Sequence, residues 1–155
     1  MTYYLLDKYE DPEIRLFILN NFLDSAKGTV FRQTQFAEFE HFMHEEDAKG
    51  QPLTQDFLSE HYRALNAKYY GPEVNSDSEI ALEWSRIPHF YYNYYVFQYA
   101  TGFSAAAFFA KKIHSGDQEA LERYKGFLKS GDSKYAVDTM KDAGLDMTQA
   151  DYIQA

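Results

Sequence analysis

WSRIPHFYYNYYVFQYATGFSAAAFFAKKI, residues Trp84 to Ile113, has no charged side chain between Arg86 and Lys111. A surface helix of ordinary amphipathic type alternates apolar and charged faces, so this segment predicts a helix enclosed on all sides. Within it His89, Tyr91, Tyr92, Tyr94, Tyr95 and Tyr99 crowd together before the sequence turns to Gly, Ser and Ala. Each phenol carries a hydroxyl that needs a partner once buried. A buried helix rich in phenols, with one imidazole, reads as the wall of a polar cavity. Helical spacing of about 100° per residue puts His89, Tyr92, Val96 and Tyr99 roughly on one stripe, with Tyr91 and Tyr95 on the next.

The remainder of the chain is helical in pattern. Asp11-Pro12 is a helix start, an acceptor at the N-cap followed by proline at the first position. Ile14, Phe17, Ile18, Phe22 and Leu23 then recur at helical spacing, and Gly28 is the expected stop. Further helices are expected over 29–48, from Thr54 to Tyr70, and from Asp77 or Ser78 to Ile87, where Pro88 interrupts. The aromatic helix should run to about Ser115, followed by helices from Asp117 to Ser130 and from Ser133 to Ala143, and a last turn at Thr148. No strand pattern, repeat or low-complexity linker breaks the series. The fold class expected is all-α: a multi-helix bundle around a buried aromatic helix, with residues 1–155 as a single domain.

Composition excludes several roles. The 155-residue chain has a formal net charge of −9 and no basic cluster, which argues against nucleic acid as a partner. Cysteine is absent, in keeping with a reducing cytoplasm, and the N-terminus lacks a signal-peptide pattern. Ile87 to Ala110 has the length of a membrane span, but its five tyrosines, His89, Asn93 and Gln98 argue for a soluble protein.

No catalytic metal motif is present. His41, His44, His61, His89 and His114 are the only histidines, and no pair forms His-Glu-x-x-His. The nearest approach, His44-Glu-Glu-Asp-Ala48, has alanine where the second ligand belongs. Glu38-Phe-Glu-His41 has the Glu-x-x-His spacing of di-iron bundles, but only one copy occurs where two are required. His61 and His114 read as surface residues. Arg32 reads as an interhelical ion pair or a substrate contact.

The sequence IPHFYYNYYVFQYATGFSAA, together with Gly28-Thr-Val-Phe-Arg-Gln-Thr-Gln-Phe-Ala-Glu-Phe-Glu40, Ile80-Ala-Leu-Glu-Trp-Ser-Arg86, Tyr124-Lys-Gly-Phe-Leu-Lys-Ser-Gly131 and Ala143-Gly-Leu-Asp-Met-Thr148, resembles the C-terminal region of the oligoendopeptidase F group. That group falls among the thimet-oligopeptidase-like zinc metallopeptidases. The resemblance covers nearly the whole chain. It implies a zinc-dependent endopeptidase of short peptides, in which Tyr and His from this helix polarise the scissile carbonyl and hold the oxyanion. By that likeness Tyr95, His89 and Tyr92 are the catalytic candidates, and Tyr91, Tyr99 and Arg32 the substrate-binding ones. Zinc would belong to the full-length parent, whose metal motif lies upstream, and none would be bound by this chain. The chain is therefore expected to be the C-terminal piece of that enzyme. It would be inactive alone, with the missing N-terminal part as its natural partner and non-physiological self-association as a by-product of the exposed surface. The competing expectation is a stand-alone, non-catalytic helical protein that binds peptides or a partner.

Overall fold

The computed structural model describes residues 1–154, and all regular structure among them is helical. Seven α-helices are formed: α1 (Thr2–Lys8), α2 (Pro12–Ala26), α3 (Arg32–Ala48), α4 (Gln55–Tyr70), α5 (Phe97–His114), α6 (Gln118–Ser130) and α7 (Ala136–Asp142). A π segment at Lys27–Phe31 joins α2 to α3, and 3-10 turns occupy Glu79–Arg86, Pro88–Tyr92 and Asp151–Gln154. The all-α expectation holds. None of the helices among the described residues is long and apolar enough to cross a membrane.

Local chemistry accounts for the helix starts. The Asp11 carboxylate accepts from the Glu13 N–H at 2.8 Å, just where Pro12 opens α2. Thr54 caps α4 through the Phe57 N–H, and Asp117 caps α6 through the Ala120 N–H at 2.9 Å. Ile87 is extended, at φ −95° and ψ 96°, as the residue before Pro88 must be.

Two expectations are corrected. Gly28 does not stop the helix. The chain passes through it in a wider π turn, and the Thr34 hydroxyl donates to the Val30 carbonyl at 2.7 Å. A helical glycine costs only about 0.5–1 kcal/mol, too little to end a helix that packing supports on either side. The aromatic segment, in turn, is not one helix. After the 3-10 turn Pro88–Tyr92 the backbone enters the left-handed region at Asn93 (φ 47°) and Tyr94 (φ 58°), and α5 begins only at Phe97. Of the whole aromatic segment Val96, Ala105 and Phe109 are buried, while Tyr91 is 87% exposed and Tyr92 60%. Exposed phenols meet their hydrogen-bonding demand in water, which removes the reason to expect them inside.

The chain forms two compact units. In the unit Lys27–Ala100 the core is Phe36, Phe39, Leu58, Tyr62, Leu65 and Val96, with Trp84, Phe90 and Tyr95 packed around it. Phe39 meets Tyr62 edge-on at 5.0 Å between ring centres, and Phe90 at 5.5 Å. The other unit, Met1–Ala26 with Thr101–Ala155, centres on Ala105, Phe109, Ala143, Leu145 and Tyr152. Its α2 buries only Ile18 and leaves Leu16, Phe17 and Leu23 largely exposed. Within the same unit His114 stacks on Tyr3 at 5.0 Å and lies 3.3 Å from Asp7.

Candidate active site

Four of the candidates meet at the surface of the unit Lys27–Ala100. His89 stacks on Tyr95, with ring centres 5.7 Å apart and planes at 13°. Tyr92 meets Tyr95 edge-on at 5.8 Å and His89 at 6.0 Å, and Tyr99 meets Tyr95 at 5.5 Å and His89 at 6.2 Å. The Tyr99 hydroxyl donates to the Tyr95 hydroxyl oxygen across 3.2 Å. That bond, with a smaller contribution from burial, holds the Tyr99 phenol above its usual range. Tyr95 is half-buried, with its ring against the core. Tyr91 makes no ring contact with these four.

The cluster exists because the chain reverses ahead of α5. Phe90 packs on Phe36 and Phe39 at one end of the reversal, and Val96, 1% exposed, is buried at the other. Asparagine tolerates the left-handed conformation, whereas tyrosine adopts it at a cost of roughly 1–2 kcal/mol. Contacts from α3 hold Tyr94 there. The Glu40 carboxylate accepts from the Tyr94 N–H at 2.7 Å, and the His44 ring stacks on the Tyr94 ring at 4.4 Å and 21°. Sequence reasoning missed Glu40. Its signal was a charged residue on the same face of α3 as Phe36 and Phe39.

Glu83 was missed as well, and it is the electrostatic centre of this unit. Its buried carboxylate takes the Tyr62 hydroxyl at 2.7 Å, together with the Arg32 and Arg86 guanidinium groups. Burial pushes the Glu83 pKa up, but Tyr62, Arg32 and Arg86 together outweigh it and hold the carboxylate below its usual range. Arg32 therefore forms the ion pair expected of it, with its guanidinium also over the Phe36 ring at 5.0 Å. Glu38 is engaged by Lys68 and by the Tyr69 hydroxyl, both at 2.7 Å. Lys68 foremost lowers the Glu38 pKa, while burial and then Glu38 push the Tyr69 phenol up to about 12.

The metal that the resemblance implies does not fit these residues. Among those described, no group of three or more His, Asp or Glu side chains is placed to hold an ion. His44 lies against Tyr94, and His41 lies 3.5 Å from Glu45. His61, expected at the surface, is half-buried and stacked on Phe42, and burial depresses its pKa.

The model of peptidase family M3 matches residues 1–155. The chain belongs to peptidase family M3. Oligopeptidase PepF of Bacillus subtilis is 53% identical over 152 residues, 98% of this chain and 23% of the relative. Group B oligopeptidase PepB of Streptococcus agalactiae is 52% identical over 155 residues, 100% of this chain and 26% of the relative. Among solved structures, oligoendopeptidase-F from Enterococcus faecium superposes with a TM-score of 0.95 at 65% identity, covering 99% of this chain and 29% of that one. A putative peptidase from Chlamydophila abortus gives 0.90 at 42% identity, covering 99% and 26%. This M3 chain thus spans about a quarter of the length of the curated relatives it matches.

Proposed function

We propose that this chain is the part of an oligoendopeptidase that presents neutral hydrogen-bond donors to the reacting carbonyl of a short peptide. Metal chemistry is left to the portion of the enzyme outside these residues. The observation that carries the reading is the bond between Tyr99 and Tyr95. A phenol has one proton and two lone pairs. Because the Tyr95 oxygen already accepts from Tyr99, its own proton is left for a further acceptor, and being hydrogen-bonded polarises it. A neutral donor in a fixed place favours an oxygen on which negative charge grows, without an immobile full charge of its own.

Tyr95 is then the transition-state donor, with His89 and Tyr92, which pack on its ring, as the other groups that touch the carbonyl. Tyr99 holds the Tyr95 hydroxyl, and exposed Tyr91 offers a flat apolar surface to peptide side chains. The ion pair with Glu83 accounts for Arg32 without a ligand.

Tyr95→Phe in the full-length enzyme tests the reading. Turnover should fall by about 10²–10³-fold, the cost of losing one oxyanion donor, with KM and metal content near wild type. Wild-type kcat in Tyr95→Phe, with loss in Tyr92→Phe or Tyr91→Phe, would move the role to another ring. Full activity in all three would reduce the segment to scaffold.

A further inference from the structure

Asn93 and Tyr94 are two successive non-glycine residues in the left-handed region, a conformation that persists only where surrounding structure enforces it. The reversal they make lies between Tyr92 and Tyr95, two members of the phenol cluster. Any relaxation of Tyr94 toward ordinary backbone angles swings those two rings relative to each other. The constraint comes from α3. Glu40 is 1% exposed, and its carboxylate receives the Tyr94 N–H at 2.7 Å. One turn further along the same helix, His44 stacks on the Tyr94 ring. The Glu40 carboxylate acts on the peptide N–H that lies in the chain between Tyr92 and Tyr95.

We propose that Glu40 is the positioning residue of the phenol cluster, holding the Tyr94 N–H so that Tyr92 and Tyr95 converge on one substrate oxygen. The proposal rests on the reading of Tyr95 given above. It also makes a particular demand on the side chain. Length and an acceptor at its end are required, and charge as such is not. Glutamine meets that demand, whereas aspartate keeps the charge but falls one methylene short.

The test is made in the full-length, metal-loaded enzyme with Glu40→Gln and Glu40→Asp, read by steady-state kinetics and by amide hydrogen exchange of the segment 91–96. Glu40→Asp should lower kcat by about 10–100-fold with KM changed less than about twofold, as misplacement of a catalytic group by an ångström does. Exchange in 91–96 should quicken about tenfold while α4 keeps its protection. Glu40→Gln should stay within about threefold of wild type on both readouts. In a Tyr95→Phe background, Glu40→Asp should cost little more, because the donor it positions is already gone. Unchanged exchange or unchanged kcat in Glu40→Asp overturns the proposal, as does a Glu40→Gln loss equal to that of Glu40→Asp, which would mean a buried-charge role. If Glu40→Asp does not fold, Glu40→Gln is compared with Glu40→Met, which keeps the length and removes the acceptor: Gln near wild type with Met slowed about tenfold or more supports the proposal, and equal kcat in the two sinks it. The two readings fail separately. Active Glu40→Asp beside inactive Tyr95→Phe removes Glu40 and keeps Tyr95. Active Tyr95→Phe beside inactive, fast-exchanging Glu40→Asp removes Tyr95 and keeps Glu40 as the support of another ring.

Discussion

Replacing Tyr62 by phenylalanine removes one oxygen atom from the middle of the larger aromatic core. The ring is fully buried and keeps its edge-on contact with Phe39, so almost no packing is lost. What disappears is the hydroxyl that donates to Glu83 at 2.7 Å. A hydrogen bond to a charged group contributes about 1.5–3 kcal/mol. Glu83 keeps Arg32 and Arg86 in the variant, so its charge is not orphaned, and the lower part of that range, about 1.5–2 kcal/mol, applies. For a chain of this length each kcal/mol moves Tm by about 2–4 °C, so a fall of about 3–8 °C is expected. The pH dependence sharpens the test. The folded-state pKa of Glu83 is depressed, so its contribution is present above the unfolded carboxylate pKa and is lost as pH falls through the folded value. Removing the Tyr62 donor lets that pKa rise, and the gap between wild type and variant should therefore narrow as the solution is acidified below the ordinary carboxylate range. Differential scanning calorimetry from neutral pH to the acid limit of the folded state measures both quantities. A Tm gap that is absent at neutral pH, or that is unchanged on acidification, would refute the role assigned to this bond.

Gly28→Ala should raise stability by about 0.5–1 kcal/mol in urea titration, since nothing lies within 4 Å of the added methyl and φ there is not positive. Gly116→Ala should do the reverse by a similar or larger amount, because φ is +87° at that helix end. Tyr99→Phe in the full-length enzyme should cost much less turnover than Tyr95→Phe, by the same kinetic assay, because Tyr99 acts through its neighbour. The 155-residue chain by itself should self-associate through the exposed Leu16, Phe17 and Leu23, seen as a concentration-dependent mass in light scattering. Leu16→Glu with Phe17→Lys should restore the monomer.

What could be read from sequence was the local part of the fold. Asp11, Thr54 and Asp117 act on backbone groups two or three residues away, so their capping roles are written in the residues themselves. The reversal at Asn93–Tyr94 is not local. Glu40 lies 54 residues upstream of the N–H it receives, and a tyrosine does not announce a left-handed turn. Charge-free composition pointed to burial, but phenols are satisfied equally well by water, and the surface took most of them. Gly28 misled because a glycine marks a stop only where nothing on either side favours continuing. In the site, helical arithmetic grouped His89, Tyr92 and Tyr99 and set Tyr95 on the adjoining stripe. All four rings come together, though through a turn and the start of α5 rather than along one helix. Glu83 stayed hidden because its partners come from three separate segments.

The grip of Glu40 on position 94 falls on a main-chain N–H, a group that nineteen of the twenty amino acids supply. The tyrosine side chain there stacks on His44 but takes no part in that bond, so it is open to replacement in a way that its neighbours are not. A saturation library should accept many residue types at position 94, glycine and asparagine most readily. It should exclude proline, which has no N–H, and disfavour Val, Ile and Thr, whose branched Cβ resists φ 58°. The burden of invariance shifts to position 40, where only side chains of glutamate's reach remain. The shape of a tyrosine-bearing turn would thus be inherited through a carboxylate half a chain away, and the letters of the turn itself would record little of it.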